Sequence, residues 1–166
     1  FYEHFEGEIA HLYKGKHEKE NVYLKTAIDS SDNILISDEY DVLNSLKHIS
    51  LPTVEKKLIL NDDSIAFIMK EVEGLNVLEL LNEYSNIPGE HVMWMLERML
   101  SVVGYLHSNC IIHGNIKPEN IIINPDIHNV SLIGFSLCIP KANVNGAKYK
   151  IINEFYTAPE ISGKTK

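Results

Sequence analysis

Arginine is nearly absent from this chain. Arg98 is the only one in 166 residues, and 15 lysines and arginines together face 23 aspartates and glutamates, for a formal net charge of −8. Nucleic acids and anionic membrane surfaces reward clustered basic residues, so this deficit argues against both as partners. Long apolar runs are missing as well. None approaches the roughly 20 residues needed to cross a bilayer, and no basic-then-apolar signal segment opens the chain. Cysteine is scarce: Cys110 and Cys138 make neither a disulfide framework nor a zinc-type spacing, so a reducing, cytoplasmic setting is expected and no metal site. Internal repeats and low-complexity tracts are absent. The chain opens on Phe1 rather than methionine, which suggests a piece of a longer protein.

What is present is enough apolar side chain for a real core. At 45% hydrophobic residues, the chain suffices for one domain or two small lobes. Its most informative stretch is the polar octapeptide His113-Gly114-Asn115-Ile116-Lys117-Pro118-Glu119-Asn120. Ile111-Ile112 precedes it and Ile121-Ile122-Ile123 follows, a pattern that predicts strand, chemically busy loop, strand.

Taken in order, residues Phe1 to about Lys16 predict two strands around Glu6-Gly7-Glu8, an ordinary hairpin with Gly7 in its turn. Asn21 to Ile28 alternates as a strand, with Tyr23 and Lys25 on one face. Ile36, Tyr40, Leu43 and Leu46 recur at helical spacing between about Leu35 and His48. Thr53–Leu60 and Ile65–Met69 predict strands joined at Asn61-Asp62-Asp63-Ser64, whose Asn and Asp side chains favour a turn. Leu75–Tyr84 predicts a short helix. After Ile87-Pro88-Gly89, Val92, Met95, Met99, Val102 and Leu106 line one face of a longer helix, read as core rather than as a ligand groove. Ile121–Ile123 and Val130–Ile133 predict a hairpin around Asn124-Pro125-Asp126.

These pieces, in this order, resemble the eukaryotic-type serine/threonine protein kinases. His113, Lys117 and Asn120 match the catalytic loop H-R-D-L-x-x-x-N, with Gly114 at its arginine and Asn115 at its catalytic aspartate. Asn21–Ile28 is similar to the V-A-I-K strand and puts Lys25 at the phosphate-pairing lysine. Glu39 falls where that lysine's glutamate partner sits on helix C. Phe5, Gly7 and Ala10 take the three glycine positions of the glycine-rich loop. Met69 stands at the gatekeeper and Lys70 to Val72 at the hinge. Gly134-Phe135-Ser136 replaces D-F-G, and Ala158-Pro159-Glu160 matches A-P-E after a loop-like segment from Leu137 to Phe155. The resemblance implies an α+β, kinase-like bilobal fold. A small β-rich lobe of five strands and helix C would cover 1–69, a hinge 70–74, and a truncated, mainly helical large lobe 75–166.

The resemblance also implies how the site departs from its family. Asn115 accepts a hydrogen bond but takes no proton near neutral pH, and loss of a positioned base removes on the order of 10²–10⁴ in rate. Magnesium seeks hard carboxylate oxygens, and Gly134 offers none. Tyr23 replaces a small alanine against adenine and is expected to occlude the adenine slot. Phe and Ala at two glycine positions weaken the phosphate cradle. Lys25, Glu39, Lys117, Asn120 and Gly7 are then a remnant nucleotide site, and a Lys25–Glu39 pair is preferred as a pin between helix and sheet. The expected protein is a pseudokinase that binds protein partners or the missing remainder of its own large lobe. Any ATP or magnesium binding is weak or remnant. The alternative is an ATP-binding kinase with a non-standard site, for which Asp126, Glu119 or Glu8 would supply a carboxylate. With Gly114 in place of the family's arginine, phospho-switching through Tyr149, Tyr156 or Thr157 is not expected.

Overall fold

The computed structural model describes residues 1–7, 9–84, 86–146, 153 and 155–162. The chain forms two compact units, Phe1–Val72 and Glu73–Lys166.

In the first unit, strands β1 (Glu3–Glu6), β2 (Ala10–His17), β3 (Glu20–Ala27), β4 (Val54–Ile59) and β5 (Ile65–Lys70) form one antiparallel sheet in the order β1-β2-β3-β5-β4. Gly7 opens the β1–β2 turn, its N–H donating to the carbonyl of Ala10 at 2.9 Å. Helix α1 (Asn33–Ser45) buries Ile36, Glu39, Val42 and Leu43. That spacing of three, three and one places them on one side of a 3.6-residue turn. Ile36 meets Ala10, Ala27 and Phe67 in the core, with Leu12, Tyr40, Val54, Ile65 and Met69 packed around them. Asn33, the first residue of α1, also holds the β4–β5 turn. Its Oδ1 accepts from the Ile65 N–H at 2.8 Å and its Nδ2 donates to the Asp63 carbonyl at 3.1 Å. Asp62 closes the same turn by accepting from the Ser64 N–H, and that bond holds its carboxyl below the usual carboxylate range.

The second unit starts with β6 (Leu75–Asn76) and α2 (Val77–Glu83). The sequence pattern predicts a helix from Leu75. Its first two residues instead pair with Ile123 and Ile122, because Asn76 is the helix cap. The Asn76 side chain accepts from Glu79 N–H and the Glu79 carboxylate accepts from Asn76 N–H, both at 2.9 Å. This reciprocal box fixes where the helix begins. Strands β7 (Ile121–Asn124) and β8 (Asn129–Leu132) complete a sheet ordered β6-β7-β8.

Helix α3 (Gly89–Ser108) presents part of the expected stripe to this core. Val102 and Leu106 are fully buried, and Met95 and Met99 pack with Trp94 against Leu80, Ile123 and Val130. Val92 does not join them, being 47% exposed. Ile111-Ile112 makes no strand. Only Ile112 bridges, to Ile139, because Cys110 turns the chain with φ of 58°. Beyond it, α4 (Ala142–Asn145) is a single turn. Tyr149 lies outside the described residues, as does Glu8. Among the described residues no helix is long and apolar enough to cross a membrane.

Candidate functional site

In the first unit, β3 and α1 bring Lys25 and Glu39 together. Lys25 Nζ donates to Glu39 Oε2 at 2.6 Å, with the side chains 8% and 2% exposed. Neighbouring strands put Lys25 opposite Leu12 on β2 and Phe67 on β5. The ammonium therefore rises from an apolar row, and a carboxylate on the helix above is what makes its burial tolerable.

Tyr23 lies two residues away on the same sheet face, opposite Lys14 on β2 and Met69 on β5. Its ring is half-buried, 6.4 Å from that of Phe5, with Lys14 Nζ 5.9 Å from its centroid. Burial pushes the Tyr23 phenol above its ordinary value, while the nearby Lys14 charge acts the other way. Lys14 in turn reaches Glu71 Oε1 at 2.6 Å, and Asn21 Nδ2 donates to Glu71 Oε2 at 2.7 Å. That hydrogen bond to Glu71 raises the Lys14 ammonium above its ordinary value. Because β3 lies between β2 and β5, the Lys14–Glu71 pair straps over β3 beside the tyrosine. The sequence pattern singles out Tyr23 and misses its strap. The signal is nonetheless there: Lys14, Tyr23, Asn21 and Glu71 all fall on one face once the register is known.

In the second unit, the octapeptide is organised by His113, which is 2% exposed. The Asn115 N–H donates to His113 Nδ1 at 3.2 Å, so Nδ1 carries the lone pair. His113 Nε2 then bears the proton and donates to the Ile133 carbonyl at 3.0 Å. The ring also stands edge-on to Phe135, centroids 4.5 Å apart. One imidazole thus ties the catalytic-loop segment to the Gly134-Phe135-Ser136 segment. Asn120 Nδ2 donates to the Asn115 carbonyl at 2.8 Å, and the Ile133 N–H donates to the Asn120 carbonyl at 2.9 Å. Lys117 is half-buried, its carbonyl accepting from the Asn120 N–H.

Both glycine-substituted positions are held in a backbone that favours glycine. Gly114 has φ of 75°, and a Cβ there would fall 2.6 Å from the Leu137 carbonyl oxygen. Gly134 has φ of 79°, and a Cβ there would fall 2.7 Å from Asn120 Cγ and Oδ1. The side-chain amide of Asn120 lies where a ligand side chain at 134 would begin. A family magnesium ion needs carboxylate oxygen at this place, and the residues present do not fit one. Of the carboxylates considered as substitutes, Asp126 is exposed in the β7–β8 turn, where its N–H donates to Asn124 Oδ1. Glu119 Oε2 is buried without a hydrogen-bond partner among the described residues.

The sequence profile described as "Protein kinase domain" matches residues 6–166. The chain belongs to the protein kinase domain family, and its fold is the α+β, kinase-like one. It is 25% identical over 151 residues to mitogen-activated protein kinase kinase kinase 19 of Mus musculus, covering 82% of this chain and 11% of that protein. Cyclin-dependent kinase-like 5 of Homo sapiens is 27% identical over 164 residues, covering 94% and 17%. Mitogen-activated protein kinase kinase kinase 3 of Arabidopsis thaliana is 30% identical over 120 residues, covering 70% and 18%. The chain thus spans less than a fifth of the length of these curated relatives.

Proposed function

We propose that this kinase-family domain is a pseudokinase: it does not transfer phosphate and serves as a protein-interaction or allosteric scaffold. The observation that carries this reading is Gly134, where no carboxylate is present and the Asn120 amide fills the approach. Asn115 adds to it, since an amide takes no proton from a substrate hydroxyl. Phosphoryl transfer relies on positioned metal and base, and each loss falls on a separate part. The partner is a protein, or further chain of its own large lobe. The test is phosphate transfer to generic substrates and to itself, with magnesium and with manganese. No turnover is expected. Turnover that Lys25→Ala abolishes overturns the proposal.

A second reading, an ATP-binding domain with a non-standard site, is favoured by the Lys25–Glu39 bond at 2.6 Å, an arrangement that nucleotide-binding kinases use. Thermal-shift titration with ATP, with and without magnesium, separates the two. A saturable shift supports nucleotide binding, and a flat response supports the scaffold.

A further inference from the structure

Among the described residues no group of three or more His, Cys, Asp or Glu is placed to enclose a metal ion. A pair of histidines is nevertheless drawn together outside the kinase-like site. His4 on β1 stands opposite Tyr13, and His11 on β2 stands opposite Glu6. The two are diagonal neighbours on the sheet face opposite the Phe5–Leu12–Lys25 row that meets α1. His4 Nε2 lies 3.0 Å from His11 Nδ1. The His4 ring stacks on Tyr13, centroids 4.6 Å apart and planes 13° from parallel, so its orientation is set by packing.

We propose that His4 and His11 form a two-imidazole site for a divalent first-row transition ion: Cu(II), Ni(II) or Zn(II). Imidazole nitrogen suits these ions. Metal–nitrogen bonds of about 2.0–2.1 Å, meeting at angles of about 90–110°, put two ligand nitrogens about 2.9–3.4 Å apart. The observed spacing of 3.0 Å falls in that interval. Two reorganisations are required: each ring tilts so that its nitrogen faces the ion rather than the other ring, and a proton moves. The ring that donates the N–H···N bond shifts that proton to its other nitrogen, after which both lone pairs face the ion and no proton is lost. Water completes the coordination. Every residue of β1 is exposed, and the ion would tie this edge strand to β2.

The test is calorimetric titration of the chain with nickel(II), with magnesium(II) as the control. One nickel per chain and no magnesium are expected, since magnesium prefers an oxygen shell. His4→Asn and His11→Asn should each weaken binding on the order of a hundredfold, as befits loss of a second ligand held in place. His17, His48, His91, His107, His113 and His128 remain in both variants and set the background. Equal binding in the double variant, or no saturable binding by the native chain, overturns the site and leaves an N–H···N hydrogen bond only. If either variant disturbs the hairpin, paramagnetic broadening in the native chain decides. His4 and His11 ring signals should broaden first, and earlier broadening of any other histidine overturns the assignment.

Discussion

Asn120 and Gly134 share a space that only one side chain fills. A Cβ at 134 would lie 2.7 Å from the Asn120 amide, which already donates to the Asn115 carbonyl. On the proposed reading, an aspartate introduced at 134 should therefore not create a metal site. Gly134→Asp must enter a left-handed backbone, at about 1–2 kcal/mol, and displace a hydrogen bond worth about 0.5–1.5 kcal/mol. Urea unfolding should show a loss on the order of 1–3 kcal/mol, matched by Gly134→Ala. Gain of magnesium binding by Gly134→Asp at undiminished stability would contradict this.

Lys25 and Glu39 yield a second prediction. Removing one member of a buried ion pair takes the counter-charge from the other, at about 3–5 kcal/mol. Lys25→Met should show that loss in denaturant unfolding, and Lys25→Met with Glu39→Leu should recover most of it. Strict additivity of the single changes would mean that the two charges do not depend on each other.

Strands β1–β5, β7 and β8, the α1 face and the ends of the β4–β5 turn are legible in the sequence because period-two and 3.6-residue patterns act locally. So are Lys25, Glu39 and Asn120, whose residue types survive at family spacing. What the sequence hides depends on register or on backbone angle. The Lys14–Glu71 strap crosses β3, and His4 meets His11 only through the β1–β2 pairing. The expected helix at Leu75 fails because periodicity alone does not tell Asn76 as a cap from Asn76 as a helical residue. Gly114 reads as a lost arginine in the sequence, whereas its φ of 75° against the Leu137 carbonyl leaves little room for any side chain.

Tyr23 gives the third prediction. Its phenol is raised above 10.0 chiefly by burial, so the folded chain holds that proton longer than the unfolded one. Stability from this group is complete below the ordinary tyrosine range and declines as pH rises through the raised value. Tyr23→Phe should flatten the decline. Removing the positive neighbour by Lys14→Met should move the Tyr23 ionisation further up, read as late-titrating phenolate absorbance among the 8 tyrosines. In the same chains, Tyr23→Ala should strengthen ATP binding if the ring occludes the adenine slot. Micromolar ATP binding by the native chain, unchanged in Tyr23→Ala, would contradict occlusion.

The fourth prediction concerns the outer face of α3. Its inward positions, Val102 and Leu106, are covered, yet Met93, Leu96 and Leu100 are 58%, 49% and 64% exposed. They are separated by three and four residues, which places them along one stripe of the helix, and Val92 flanks it. Polar face and apolar face normally divide such a helix, whereas α3 is apolar on a second side. A contiguous apolar patch on a monomer marks a surface that another element covers. The chain by itself should therefore self-associate in sedimentation or bind a hydrophobic dye. Leu96→Glu with Leu100→Glu should abolish both while leaving the circular dichroism unchanged, since neither side chain is part of the buried core. A native chain that sediments as a dye-negative monomer would show that this face needs no partner, and the proposed scaffold would then have to bind through another surface.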